Sequence, residues 1–411
     1  MNTHAHYGRA ARGYGTMKAS KLLLGLCAGV TAGYTLVRTV QAIREYQRPS
    51  PAVERDARAY AEYRRALDVA GTVRGLASAY LFAYGAPGRL TDRATAFAPP
   101  WLRPALFSVP IVTVSSLLDL PISFVESYTP ERRYGLSDQS IAAWLEEYLK
   151  GTALSAAFSA LLLSLFGIAV RHAPRTWPLV AAAGTLPLLV VMNLVVPLWI
   201  LPMFNKFVPL DGPLEHRLRK LAGRYGAATA EILRMDMSRQ TRKANAFVTG
   251  VGGTHRIVLG DTLIDAFTPD EVEFVVAHEL GHYVTKDTWR LIAVSELMAA
   301  ILLLWAQRAT PVRERARMRK RPILLARFVV TMSAASQLLR PLLLAFSRSR
   351  EWAADDFALE ATGDAASGAA ALSRLRDQNL ADDAPPRWYE LLFGSHPALK
   401  DRIAKLEAAE R

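Results

Sequence analysis

Apolar residues along the chain gather into runs long enough to cross a bilayer, separated by short basic segments. A hydrocarbon core of about 30 Å needs roughly 20 mostly apolar residues in a helix. Runs at 22–37, 104–125, 151–170, 178–201, 291–306 and 322–346 meet or approach that length. The run 69–88 is interrupted by Arg74 and closed by Pro87 and Gly88. With or without it, the pattern predicts six or seven spans. A basic start precedes 22–37 and Arg38 follows it directly, so we expect a retained span there rather than a cleaved leader. Between 201 and 291 the pattern turns mixed and polar over a stretch too long for a simple loop. After 346 it stays polar to the end.

These boundaries predict a mainly α protein in four stretches: a membrane region at 1–201 with about five spans, a first catalytic part at 202–290, two further membrane helices at 291–346, and a C-terminal catalytic part at 347–411. Residues 245–250 and 256–259 read as two short strands around the glycine-rich turn Gly250–Gly253, giving the catalytic part a small hairpin or sheet. Four ionisable residues, Asp119, Glu296, Arg327 and Arg340, lie inside apolar runs. Charge in hydrocarbon costs about 2.5–3.5 kcal/mol on insertion scales, so these groups either pair between helices or line a wet interior.

Composition narrows the class. Half the residues (51%) are hydrophobic and 21% are charged, which excludes a disordered chain. One cysteine, Cys27, excludes an intrachain disulfide. The net charge of +13 fits either nucleic acid or membrane flanks. The charges sit between apolar runs with no nucleic-acid motif beside them, so a nucleic-acid partner is not expected. Arginine outnumbers lysine 40 to 10, a usage that hints at a high-GC bacterial genome.

The strongest chemical signal is His278-Glu279-Leu280-Gly281-His282. Histidines at i and i+4 share one helical face and can hold one zinc ion. Glu279 is offset so as to act as general base on the water that the metal activates. Thr268-Pro269-Asp270-Glu271 reads as a capping box with proline at the first helical position, so the motif sits late on a well-started helix. A catalytic zinc wants a third protein ligand. Glu351, in Ser347-Arg348-Ser349-Arg350-Glu351-Trp352-Ala353-Ala354-Asp355, is the candidate. Asp355, one turn on, could accept the Nδ1–H of a zinc histidine and fix its tautomer. A protease commonly holds substrate as an added strand on a sheet edge, and the segment Asn245-Ala246-Phe247 is the candidate edge.

These motifs resemble those of the type I CAAX prenyl endopeptidases, integral-membrane zinc metalloproteases. The resemblance rests on Asn245–Gly250, on Arg256-Ile257-Val258-Leu259 with Asp261-Thr262-Leu263, on the HELGH motif and on the run 347–355. Pro202–Phe207 and the late Ser395-His396-Pro397 with Arg402-Ile403 match as well; 121–136 matches loosely and the first hundred or so residues are not diagnostic. The resemblance implies a seven-helix barrel around a water-filled chamber, closed at one end by the zinc domain. It implies that His396 steadies the oxyanion and that Arg402 contacts substrate. The implied activity is hydrolysis of peptide bonds in peptides or proteins, lipidated or membrane-associated. Bacterial stress-induced membrane metalloproteases share the zinc motifs and are the alternative. A transporter would show paired repeats with broken helices, which are not found, and an inactive scaffold would lack a key residue, yet His278, Glu279, His282 and Glu351 are all present. Positive-inside logic places the loop 307–321 in the cytoplasm and the catalytic face opposite; the resemblance implies the reverse. We expect a multi-pass protein of a bacterial plasma membrane, among its lipids, with the catalytic side cytoplasmic; no oligomeric state is predicted.

Overall fold

The computed structural model describes residues 56–250, 255–309, 317, 318 and 320–410. Among them, five helices are long and apolar enough to cross a membrane: Arg103–Arg133, Ile141–His172, Trp177–Met203, Asp287–Arg308 and Pro322–Thr362. That is fewer than the six or seven spans expected. The expected span 22–37 lies outside the described residues. The run 69–88 falls on a helix, α1 (Ala57–Tyr84), that starts well before it at the N-cap Asp56. Arg58, Glu62, Arg64, Arg65, Asp68 and Arg74 make α1 less apolar than those five helices. Its polar groups are spoken for: Arg65 pairs with Asp382, Asp68 accepts from the Tyr389 hydroxyl, and Arg74 reaches Asp119 and Glu126. Gly85 ends α1, and a Cβ there would sit 2.2 Å from the Leu81 carbonyl oxygen.

A short helix, α2 (Ala86–Ala94), then leads to α3 (Arg103–Ser123), which continues through a π-helical turn at Phe124–Tyr128, just past Pro121, into Thr129–Arg133. Proline removes a backbone donor, and a wider turn is one way a helix absorbs that loss. Two further spans follow, α4 (Ile141–His172) and α5 (Trp177–Val195). Large apolar side chains on this part stand outward, with Leu118 at 68% and Leu338 at 81% exposed, the surface expected where the solvent is lipid. Inside, a cavity of about 1050 Å³ opens between the helices, lined by apolar residues and by Arg74, Asp119, Tyr148 and Thr185.

The ionisable residues of the spans have partners. Asp119 is 3.1 Å from Arg74 on the cavity wall. Glu296 accepts a 2.6 Å hydrogen bond from Thr185. Arg327 donates to the Ala83 carbonyl and lies over the Tyr84 ring, and Arg340 lies over Phe393. The two outcomes left open by the sequence therefore coincide: the groups pair between elements, and Asp119 also faces the interior.

The remaining chain builds a four-stranded sheet with helices packed on it. The strands are β1 (Phe207–Pro209), β2 (Glu231–Met235), β3 (Ala246–Thr249) and β4 (Arg256–Gly260), in the order β1-β2-β4-β3. Between β1 and β2 lies α6 (Gly212–Arg224). The expected pair is antiparallel, with Phe247 opposite Val258, and β2 joins β4 in parallel. This leaves β3 at the sheet edge. A short α7 (Asp261–Ala266) leads to α8 (Pro269–Val284), followed by α9 (Asp287–Ala309), α10 (Pro322–Thr362), α11 (Ala365–Asn379), α12 (Arg387–Leu392) and α13 (Leu399–Ala409). The core joins Leu218 and Leu221 of α6, Ile257 and Leu259 of β4, Phe274 and Leu280 of α8, and Leu406 of α13. One element, α10, runs unbroken from the membrane segment past residue 351 and ends at Gly363, whose φ of +67° is the left-handed cap that glycine adopts freely.

Candidate metal centre

The site is set by how α8 starts and what it buries. The Thr268 hydroxyl accepts from the Glu271 amide, and the Glu271 carboxylate accepts from the Thr268 amide, with Pro269 at the first turn. The Glu271 carboxylate is also gripped by Arg374 of α11. Val272, Phe274, Val275, Val276, Ala277 and Leu280 are buried in the core, which turns the His278–His282 stripe the other way, toward α10. Gly281 allows close contact. A Cβ at 281 would stand 3.1 Å from the Ala354 Cα and 3.3 Å from the Phe357 Cβ, so a side chain there would require α10 to give by a few tenths of an ångström.

With the helices this close, Glu351 faces both histidines. His278 Nε2 is 3.4 Å from Glu351 Oε2, and His282 Nε2 is 3.4 Å from Oε1. One donor atom from each of the three lies within 4.8 Å of the others. Donors around a tetrahedral zinc with bonds of about 2.1 Å stand roughly 3.4 Å apart. Glu351 is 6% exposed, and its Oε2 is buried without a hydrogen-bond partner among the described residues. A buried carboxylate oxygen without a donor is costly, and a cation among two imidazoles and this oxygen removes that cost. The donor set, two imidazole nitrogens and a carboxylate, is that of a catalytic zinc site.

Each histidine has its other nitrogen on a buried carboxylate. His278 Nδ1 is 2.9 Å from Asp355 Oδ1, as expected from the spacing of Glu351 and Asp355. Arg402 donates to both oxygens of Asp355, at 2.8 and 2.6 Å, and lies 3.6 Å from Glu351. His282 Nδ1 is 3.0 Å from Asp287 Oδ2, and Arg350 donates to the other oxygen of Asp287 at 2.6 Å. Asp287 and Arg350 were not singled out from the sequence. The available signal was an acid five residues past the second histidine, but an acid opening an apolar helix reads first as a helix start.

The charges follow this layout. Burial acts to lower the His278 pKa, but the hydrogen bonds to Asp355 and Glu351 outweigh it and hold the imidazole up at about 9 in the metal-free protein. His282 is likewise raised, Glu351 and Asp287 overcoming burial. Burial pushes the Glu279 carboxyl up against the pull of the neighbouring histidines. His396 stands exposed, with Nε2 3.4 Å from Glu351 Oε1 and Nδ1 2.9 Å from the Ser395 hydroxyl.

The expected substrate segment lies on β3. Ala246 is buried opposite Leu259, and the Asn245 carbonyl accepts from the Gly260 amide. The β3 strand packs beside α8, so the open edge runs along the helix that carries the histidines. Arg402, expected to contact substrate, is 6% exposed with its guanidinium on Asp355 and Glu351. The site thus joins His278, Glu279, His282, Glu351, Asp355, His396 and Arg402 in one place.

Comparison with known proteins gives the family and the fold. Residues 210–410 match the model of peptidase family M48, and residues 52–206 match a model described as CAAX prenyl protease N-terminal, five membrane helices. A CAAX prenyl protease 1 homolog of Oryza sativa subsp. japonica is 30% identical over 316 residues, covering 74% of this chain and 73% of that protein. An uncharacterized metalloprotease of Bacillus subtilis is 28% identical over 309 residues, covering 72% and 71%. The fold is similar to the crystal structure of Ste24p from S. mikatae, with a TM-score of 0.71 and 21% identity, covering 93% of this chain and 98% of that one.

Proposed function

The chain belongs to the CAAX prenyl protease family of M48 metallopeptidases and is an integral-membrane metalloendopeptidase acting on peptides or proteins; from that premise we propose that it is a zinc enzyme in which Glu279 is the general base. One observation carries the reading: His278 and His282 each bring Nε2 to 3.4 Å from the buried Glu351 carboxylate, beside Glu279. Zinc held by these three residues would polarise the scissile carbonyl and acidify a water.

The protein's own residues do the rest. Glu279 takes the proton from the attacking water as oxygen bonds to the carbonyl carbon, then gives it to the leaving amine as the C–N bond breaks. Its upward-shifted pKa suits both halves of that transfer. As the carbonyl oxygen gains charge, His396 donates to it. Asp355 fixes the tautomer of His278, leaving Nε2 for the metal, and Arg402 holds Asp355. Substrate lies along the β3 edge at Asn245, Ala246 and Phe247, bound through main-chain hydrogen bonds that tolerate varied side chains. We place the catalytic side in the cytoplasm and the natural substrates among lipidated or membrane-associated proteins, whose extended ends reach the site through the cavity.

The deciding experiment compares cells carrying the wild type with cells carrying Glu279→Gln by mapping new protein termini. The variant should keep its zinc and fold and lose cleavage about 10²–10⁴-fold. A Gln variant that cleaves at near wild-type rate would disprove the mechanism.

A further inference from the structure

We propose that Asp287, the first residue of α9, is a positioning residue that sets the tautomer and orientation of His282 and so ties a membrane helix to the metal site. The proposal rests on the zinc reading above. Four observations carry it. Asp287 Oδ2 lies 3.0 Å from His282 Nδ1. An ionised carboxylate only accepts, so Nδ1 carries a proton toward Asp287, and Nε2, 3.4 Å from Glu351, is the nitrogen left for the metal. Asp287 is 2% exposed, so its charge is held by protein rather than by water. The groups holding it are Arg350, at 2.6 Å, and Arg290 one turn along α9, at 3.6 Å.

The backbone is built to deliver this contact. Helix α8 stops at Val284, and Lys286 has φ +56°, a left-handed conformation that costs a non-glycine residue about a kcal/mol or more. That single turn brings Asp287 back beneath His282 while the chain changes direction into α9. Arg350 comes from α10, next to the ligand Glu351. The outer groups therefore form two matched chains: His278–Asp355–Arg402, closed within the soluble part, and His282–Asp287–Arg350, which passes through the first residue of a membrane helix.

Full-length detergent-solubilised protein provides the test, with zinc affinity measured by chelator competition and donor geometry by the visible spectrum of the cobalt(II)-substituted protein. Asp287→Ala should weaken zinc binding about 10–100-fold and alter the cobalt spectrum. The nearly isosteric Asp287→Asn, whose amide oxygen can still accept from Nδ1, should lose less and serves where the Ala variant does not fold. Arg350→Ala should also weaken zinc, and its effect should largely vanish in the Asp287→Ala background, because it acts through Asp287. If the wild type takes up no zinc, the metal reading fails and this one with it. If the wild type binds zinc and the Asp287 variants bind it equally with unchanged cobalt spectra, only the positioning role is overturned.

Discussion

Three histidine nitrogens converge on the Glu351 carboxylate: His278 Nε2 on Oε2, and His282 and His396 Nε2 on Oε1, each at 3.4 Å. Removing that carboxylate leaves two imidazoles with no anion to share a metal. Glu351→Ala should therefore bind zinc much more weakly than the expected single equivalent per chain, as metal analysis of purified protein would show. Unchanged stoichiometry and affinity would take Glu351 out of the site. The protonation of His278 adds a pH dependence. Its metal-free pKa, held at about 9 by Asp355 and Glu351, means that it is protonated at neutral pH, whereas a ligand must be neutral. Zinc uptake at pH 7 should thus release protons, and affinity should climb as pH rises toward 9. Calorimetry in buffers of different ionisation enthalpy reads the proton release directly. Equal apparent enthalpies in all buffers would mean that the imidazoles are already neutral.

Between elements, the closest approach that matters is α8 on α10. A Cβ at 281 would stand 3.1 Å from the Ala354 backbone, a few tenths of an ångström too close. Backbone cannot swing aside as a long side chain can. Gly281→Ala should therefore cost about 1–3 kcal/mol of stability through overpacking. It should also weaken zinc binding, because the histidines move away from Glu351 as the helices separate. A thermal melt of the metal-free protein and a zinc titration separate the two effects. Wild-type affinity in a folded Gly281→Ala variant would show that the spacing is not set here. The glycine in the motif is thus explained by a tertiary contact, although nothing in its local helical setting calls for one.

On the scale of the whole molecule, the spans enclose a cavity of about 1050 Å³ with Arg74 and Asp119 on its wall. Lipid-facing charge would be expensive, while a wet interior tolerates it. With Cys27 first changed to serine, a cysteine at Asp119 should react with small water-soluble thiol reagents in the intact protein. A cysteine at Glu296, whose carboxylate meets the cavity-lining Thr185, should do the same. Labelling of both by a lipid-phase reagent alone would make the spans ordinary lipid-facing anchors, and the enclosed chamber would have to be abandoned.

Features that depend on short range were legible in the sequence by itself. Helical periodicity places His278 and His282 on one face whatever surrounds them, and the Thr268–Glu271 cap forms from four neighbouring residues. The need for a third ligand pointed to Glu351, and one helical turn from there pointed to Asp355. Hydrophobic length marked the five helices that could cross a membrane. What it could not convey depends on residues far apart in the chain. The segment 69–88 looked like a marginal span because Arg74 interrupts it, and Arg74 finds its partners more than 40 positions away, at Asp119 and Glu126. The resemblance implied that Arg402 contacts substrate, and only the packing of α13 brought its guanidinium to Asp355. Asp287 looked like a helix start until the turn at Lys286 brought it to His282. In each case the side chain's chemistry is the same in either role. Only the packing of distant elements decides which partner a buried charge meets, because its cost of burial is offset by whatever the fold sets within about 3 Å of it.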